Sequence, residues 1–301
     1  MQDDREEVAA RLSVRGLYKS YAVPVLTNVN LDVRPGEAHA LVGANGAGKS
    51  TFSRIVSGLT AADAGSMWID SQPYAPTSKS DAEARGVQMV MQELNLIRTL
   101  SIAENLFLNR LPRRFGFIDY DALRRQTHRA LAAVGLQDLD PDRPVYTLGV
   151  GHQQLVEIAA ALARPCRLLI LDEPTAALTD PEIELLFDNV RRLKEQGVSI
   201  LYISHRMEEI LTICDSVTVL RDGNLVSTRS TTSVTIDEIV QQMVGRETVE
   251  AMDEHQARQP GEIALRVEGL RRGSELVDVS FDVHHGEILG LAGLVGSGRT
   301  E

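Results

Sequence analysis

Long hydrophobic runs are missing from this chain. No apolar stretch reaches the roughly 18 residues that a membrane-spanning helix needs. Basic runs are missing too. Across 301 residues there are 31 Lys and Arg against 42 Asp and Glu, a net charge of −11. That balance argues against a nucleic-acid footprint and against adhesion to anionic lipid. Cysteine is scarce, with only Cys166 and Cys214, both in apolar surroundings. They read as free thiols in a reducing compartment, not as a disulfide or metal site. The seven histidines show no metal-ligand spacing. The start of the chain, MQDDREEVAARL, is acidic and has no apolar core behind it. It is not read as a secretory leader.

What is present is an ordinary globular composition, 43% hydrophobic, over a length that suits two domains. Residues 12–42 alternate as short strands, with a turn at Pro35–Gly36. A helix follows in KSTFSRIVSGL and stops at Gly58. Residues 101–136 read as mostly helical, with a break at 112–116. GHQQLVEIAAALA reads as an amphipathic helix ended by Pro165. RLLILDEP and VSILYISH are continuous apolar runs, as in strands buried on both faces of a parallel sheet. A helix at 180–197 lies between them. A short helix, a hairpin around Asp222–Gly223 and a last helix from 235 follow. Residues 250–262 are polar and read as a linker.

The sequence then begins again. NVNLDVRPGEAHALVGANGAGKST (28–51) matches DVSFDVHHGEILGLAGLVGSGRTE (278–301) at a constant offset, with nine of the 24 positions identical. Such a repeat reads as a duplicated domain. The expected organisation is a first domain over 1–249, the linker 250–262 and the opening fragment of a second copy over 263–301. The second copy has strands without the helices that would cover them, so the chain is expected to be a fragment.

Gly43–Ser50 fits G-x-x-x-x-G-K-[ST] between a strand and a helix, the context a phosphate-binding loop requires. Glycines let successive N–H groups curl round phosphates, and the helix N-terminus adds its positive dipole end. The expected nucleotide contacts are Gly43, Asn45, Gly46, Ala47, Gly48, Lys49, Ser50 and Thr51. Lys49 would reach the terminal phosphates and Ser50 would ligate Mg2+. Asp172 closes a buried strand, where ligands bind in open α/β sheets, and would also hold Mg2+. Glu173 points the other way and is placed to polarise an attacking water. Gln92 closes VQMVMQ and His205 closes ILYISH. Each alone is compatible with a structural role. Together they supply a sensor for Mg2+ and the γ-phosphate and a holder for that phosphate. Tyr21 either stacks on adenine or is a core tyrosine.

This set resembles the nucleotide-binding domain of ABC ATPases: an α/β P-loop NTPase fold with an antiparallel β subdomain and a helical subdomain. LGVGHQQLVEIAAAL (148–162) sits where that family keeps its signature motif, here Leu148, Gly149, Val150, Gly151, His152 and Gln153. AALTD (176–180) resembles the D-loop, ending at Asp180. Within the family, MQELNLIRTLSIAENLFLNR, ILDEPTAALTDPE, ISHRMEEI and MVGRE resemble the tandem ATP-binding subunits of bacterial sugar importers, which serve ribose, xylose, arabinose, galactose and related substrates. The resemblance implies ATP and Mg2+ as cofactors and ATP hydrolysis that powers monosaccharide import. Implied partners are membrane permease subunits, indirectly a sugar-binding protein, and a second ATPase domain in the same chain. The implied place is the cytoplasmic face of the inner membrane, without insertion and without nucleic acid.

Two positions depart from the family pattern. Gly149 stands where the signature usually has Ser. In the second loop, Gly293, Gly296, Gly298, Arg299 and Thr300, arginine replaces lysine, and its forked head suits a point-charge slot poorly. In the family's head-to-tail dimer both departures fall in one composite site. One hydrolytic site at Lys49 and Glu173, and one degenerate site, are therefore expected. The resemblance implies that roughly residues 93–116 meet the membrane subunits; the alternative is a solvated connecting loop. Alternatives are a soluble tandem ABC ATPase acting on the ribosome or DNA, and a regulatory domain that only binds ATP. The short linker and acidic charge disfavour the first. The full set of Lys49, Asp172, Glu173, Gln92 and His205 disfavours the second.

Overall fold

A computed structural model describes residues 10–176, 178–244, 261–273 and 276–292. The chain divides into two units, Met1–Arg246 and Glu247–Glu301.

The first unit opens with β1 (Leu12–Ser20) and β2 (Pro24–Val33), paired antiparallel. Next come β3 (Ala38–Val42) and α1 (Lys49–Val56). They are followed by β4 (Ala64–Ile69), β5 (Gln72–Pro73), α2 (Lys79–Ala84) and β6 (Val87–Val90). α3 (Ile102–Phe107) starts at a capping box in which Ser101 and Glu104 exchange hydrogen bonds. A tight hairpin, β7 (Arg113–Arg114) and β8 (Phe117–Ile118), occupies the break expected at 112–116. Beyond it lie α4 (Tyr120–Ala133), α5 (Val150–Leu162) and β9 (Leu168–Asp172). α6 (Asp180–Glu195) begins at a second capping box, Thr179 with Glu182, and has Pro181 in its first turn. β10 (Ser199–Ile203), α7 (Met207–Ile213), β11 (Ser216–Arg221), β12 (Asn224–Ser230) and α8 (Ile236–Val244) complete the unit.

Two sheets result. One is antiparallel, in the order β2-β1-β4-β5. The other has six strands in the order β12-β11-β3-β10-β9-β6, parallel except for the edge strand β12. Strand alternation divides the interior into two cores. Leu168, Ile170, Leu201 and Ile203 face one core, shared with Phe52, Ile55 and Val56 of α1 and with the antiparallel sheet. Leu169, Leu171, Ile200 and Tyr202 face the other, shared with α3 to α8. A strand buried on both faces has no polar position to spare, which is why these segments read as unbroken apolar runs. Continuing the alternation, Asp172 falls on the α1 side of the sheet. Cys214 is buried and Cys166 half-buried, both free thiols; burial pushes the Cys166 thiol up to about 12.

The described residues of the second unit form a hairpin, β13 (Ile263–Arg272) with β14 (Leu276–His284). Its local geometry repeats that of β1 and β2. Gly16 N–H donates to Asn30 Oδ1 at 2.8 Å, and Gly269 N–H to Ser280 Oγ at 2.9 Å. Asn28 and Asp278, matched by the repeat, both have positive φ. Glu37 accepts from the Arg34 amide, and Glu287 from the His284 amide. The second glycine loop, Gly293 to Thr300, lies outside the described residues, as do residues 250–260 of the expected linker.

The layering predicts unequal costs for similar changes. Leu169→Ala removes a fully buried side chain between two covered faces. It should lower unfolding free energy by about 2–5 kcal/mol in equilibrium denaturation. Leu59→Ala, at a residue 41% exposed, should change it by less than about 0.5 kcal/mol.

Candidate nucleotide site

The loop between β3 and α1 takes a path that only glycine tolerates at two points. Gly48 has φ 106°, and a Cβ there would lie 2.8 Å from the Val25 carbonyl oxygen. Gly43 has no room either, since a Cβ would sit 2.3 Å from the Leu220 carbonyl oxygen. α1 starts at Gly48 with no side-chain cap, so its first-turn N–H groups have no capping side chain. Lys49 is buried and donates to the carbonyls of Gly43 at 2.7 Å and Ala44 at 3.1 Å. Burial pushes its ammonium down from the ordinary lysine value, against the opposing pull of Glu173 and Asp172.

A cavity of about 320 Å3 opens beside this loop. Val25, Asn45, Gly46, Ala47, Gly48, Lys49, Ser50, Thr51, Gln92, Asp172 and Glu173 line it. A larger cavity, about 740 Å3 beside Trp68 and Tyr74, carries no charged side chain. The smaller one has the chemistry. Donor groups and one ammonium stand on one wall and two carboxylates on the other. The Asp172 carboxyl is raised above its ordinary value by burial and by the neighbouring charge of Glu173, with Lys49 and Arg54 pulling it down.

Register brings these groups together. β9 and β10 run parallel with Asp172 opposite Ile203. The Glu173 amide donates to the Ile203 carbonyl at 2.8 Å. Glu173 has φ 48°, an uncommon left-handed conformation for a non-glycine residue. His205 reaches Glu173 from the neighbouring strand end, with Nδ1 3.4 Å from Oε1. So Glu173 faces the cavity on one side and His205 on the other, although His205 does not line the cavity itself.

The signature segment lies outside the cavity lining. Gly149 is the N-cap of α5, in extended conformation, and a Cβ there would have nothing within 4 Å. Gly151 is different: a Cβ would meet the Glu182 carboxyl at 2.0 Å. Leu148 is buried, and its carbonyl accepts from Gln153 Nε2 at 2.8 Å. Val150 is exposed. His152 Nδ1 lies 3.5 Å from Glu182, tying the start of α5 to the start of α6, where Asp180 is exposed. Ala177 of the D-loop is outside the described residues. Tyr21 is 60% exposed in the β1–β2 turn, with the Lys19 ammonium 5.3 Å from its ring centre. The core reading of Tyr21 is thereby excluded. Sequence reasoning did not single out Val25, which lines the cavity, or Arg54, whose charge acts on Asp172. Neither belongs to a motif.

The residues fit a polyphosphate with a divalent cation. Among the described residues no cluster of three or more His, Cys, Asp or Glu could hold a metal by itself. A cation here would therefore take most of its ligands from the nucleotide and water, which matches a cradle with one half-buried Asp, a Ser and a Gln.

Comparison with known proteins agrees. The family description "ABC transporter" matches residues 26–176. The "Ribose import ATP-binding protein RbsA" of Chromobacterium violaceum is 48% identical over 292 residues, covering 97% of this chain and 58% of that protein. The "Putative ribose/galactose/methyl galactoside import ATP-binding protein 1" of Agrobacterium fabrum is 44% identical over 298 residues, covering 99% and 59%. The chain thus spans rather more than half the length of these relatives. Among solved structures, an ATP-binding cassette of an ABC transporter in its ADP conformation superposes with a TM-score of 0.67 at 22% identity, covering 82% of this chain and 99% of that one. The cbiO1 protein of Clostridium perfringens, part of an ABC transporter complex, gives 0.67 at 24%, again covering 82% and 99%. At these identities the structures establish the fold.

Two outcomes follow from the geometry. The raised Asp172 carboxyl means that its ionised form costs stability above that pKa, a cost that disappears as pH falls through it. Asp172→Asn should raise the Tm of the nucleotide-free protein at pH 7, by a margin that shrinks in acid, as followed by calorimetry across pH. Gly149→Ser should fit without clash and cap α5, raising unfolding free energy by a few tenths of a kcal/mol, about the Ser-to-Gly difference at an N-cap.

Proposed function

The chain belongs to the ABC transporter family, and from that premise we propose that it binds and hydrolyses ATP to power import of a monosaccharide through a membrane transporter. The observation that carries this reading is the convergence of Lys49, Ser50, Gln92, Asp172 and Glu173 on one cavity of about 320 Å3 beside a capless helix start. The ribose and galactose import proteins among its relatives support the sugar assignment.

In this proposal the first-turn N–H groups of α1 and the loop amides hold the phosphates. Lys49 exchanges its carbonyl partners for phosphate oxygens. Ser50, Asp172 and Gln92 hold Mg2+, which supplies charge neutralisation at the phosphates when bound. Glu173 orients the attacking water and takes its proton. His205 holds the terminal phosphate and steadies Glu173. Tyr21, exposed and next in the chain to the strand that contributes Val25, offers a face for adenine. The open N-cap at Gly149 would meet the nucleotide of a facing domain, with its N–H groups and helix dipole but without a hydroxyl. Asp180 would lie at the same facing surface.

The repeat, together with the matching local geometry of β13 and β14, supports a second copy of the domain in the natural protein. Arg299 would then face Gly149 in a degenerate composite site, leaving Lys49 and Glu173 as the hydrolytic one. Residues 93–116 are proposed to dock on permease subunits, with a sugar-binding protein acting beyond them. Phe115 and Phe117, 89% and 80% exposed at the hairpin tip, support an outward contact there. On this reading the protein would work peripherally at the cytoplasmic face of the inner membrane. No helix among the described residues is long and apolar enough to cross one.

Glu173→Gln should lower ATP turnover about 10^2–10^4-fold while leaving ATP affinity within twofold, measured by phosphate release and by equilibrium binding. Survival of half the turnover would show that the second site also hydrolyses.

A further inference from the structure

Glu209, in the first turn of α7, takes no part in the cavity. It is 5% exposed. Its Oε2 accepts three hydroxyl hydrogen bonds: from Tyr202 at 2.8 Å, Thr175 at 2.9 Å and Ser204 at 3.3 Å. Its Oε1 lies 2.8 Å from Arg206 Nη1, an ion pair without hydrogen-bond geometry. The origin of these donors matters more than their number. Thr175 follows Glu173 by two residues. Ser204 precedes His205 by one, and its Oγ also accepts from the Arg206 amide at 3.0 Å. Tyr202 is in β10, the strand that ends just before His205.

We propose that Glu209 is a positioning residue that fastens the segment carrying Glu173 to the segment carrying His205, and so sets their approach. The proposal rests on the hydrolytic function proposed above. A buried carboxylate is costly unless donors surround it. Here every donor belongs to one of the two strand ends or to the turn that carries His205. The carboxylate is therefore solvated only while those segments keep their register. Each hydroxyl donates its proton to Glu209, so none can turn away without weakening the solvation of a buried charge. The Tyr202 phenol is pushed well above the ordinary tyrosine value by burial and by the Glu209 charge, which keeps it a donor. Glu173, in its left-handed conformation, needs such support from its surroundings. Removing the charge should loosen the Glu173–His205 contact while the phosphate loop, on another strand, stays as it is.

The test uses the full chain as wild type, Glu209→Gln, His205→Ala and the double variant. Without nucleotide, hydrogen exchange is followed at the Glu173 amide, bonded to Ile203, and at the Arg206 amide, bonded to Ser204. Glu209→Gln should raise exchange at both about tenfold and leave β3 and α5 unchanged. With ATP and Mg2+, kcat should fall about tenfold or more, with ATP affinity within twofold. In the His205→Ala background, Glu209→Gln should cost less than twofold further. If Glu209→Gln does not fold, Thr175→Val removes one donor at constant shape and should shift the same readouts in the same direction. Unchanged exchange at the two amides, a uniform rise across the chain, or fully additive losses in the double variant would each overturn the proposal. A wild-type chain without ATP turnover contradicts the hydrolytic reading, and the exchange result then decides the positioning role on its own.

Discussion

Parallel pairing of β9 with β10, with Asp172 opposite Ile203, is the constraint on which the site depends. It brings two strand ends to the same level, so that residues just past each strand become neighbours. Asp172 and Glu173 come from one, His205 from the other. Strand alternation then separates the two carboxylates, and Asp172 falls on the side where α1 begins. β3, on the far side of β10, delivers the glycine loop to the same edge. A slip of one residue between β9 and β10 would exchange the two core faces and dismantle the site with them.

Within that frame, charge does the rest. Lys49 is buried and holds two loop carbonyls, while the opposite wall carries two carboxylates, one of them raised by burial. Such an arrangement is poorly compensated by itself and well compensated by a polyphosphate with a divalent cation. Phosphates would supply acceptors for the ammonium and for the uncapped first-turn amides of α1. A cation would supply a partner for Asp172. The same compensation accounts for a left-handed Glu173 and a capless start of α1 at this place.

Much of this was legible in the sequence because it is local or periodic. The loop from Gly43 to Ser50, the apolar strand closed by Asp172 and Glu173, and the helix from Asp180 each carry a pattern within a dozen residues. The antiparallel strand β4 was not foreseen. Its burial is uneven, with three exposed residues before Met67, so it has little period to read. β5, β7 and β8 have two residues each, too few for any period. The hairpin at 113–118 read only as a break. The exposure of Tyr21, the room at Gly149 and the contact between His152 and Glu182 depend on segments distant in the chain. Glu209 is the clearest case. Its neighbour Glu208 has the same chemistry, and only the packing of α7 on β10 decides which of them is turned inward.

The measurement closest to the central claim is calorimetric titration of this chain with ATP, with magnesium and after its chelation, beside Lys49→Ala. The expected result is saturable binding at one site in the first unit, weaker without magnesium and lost in Lys49→Ala. Binding that ignores both magnesium and Lys49 would contradict the assignment of the cavity between Lys49 and Asp172.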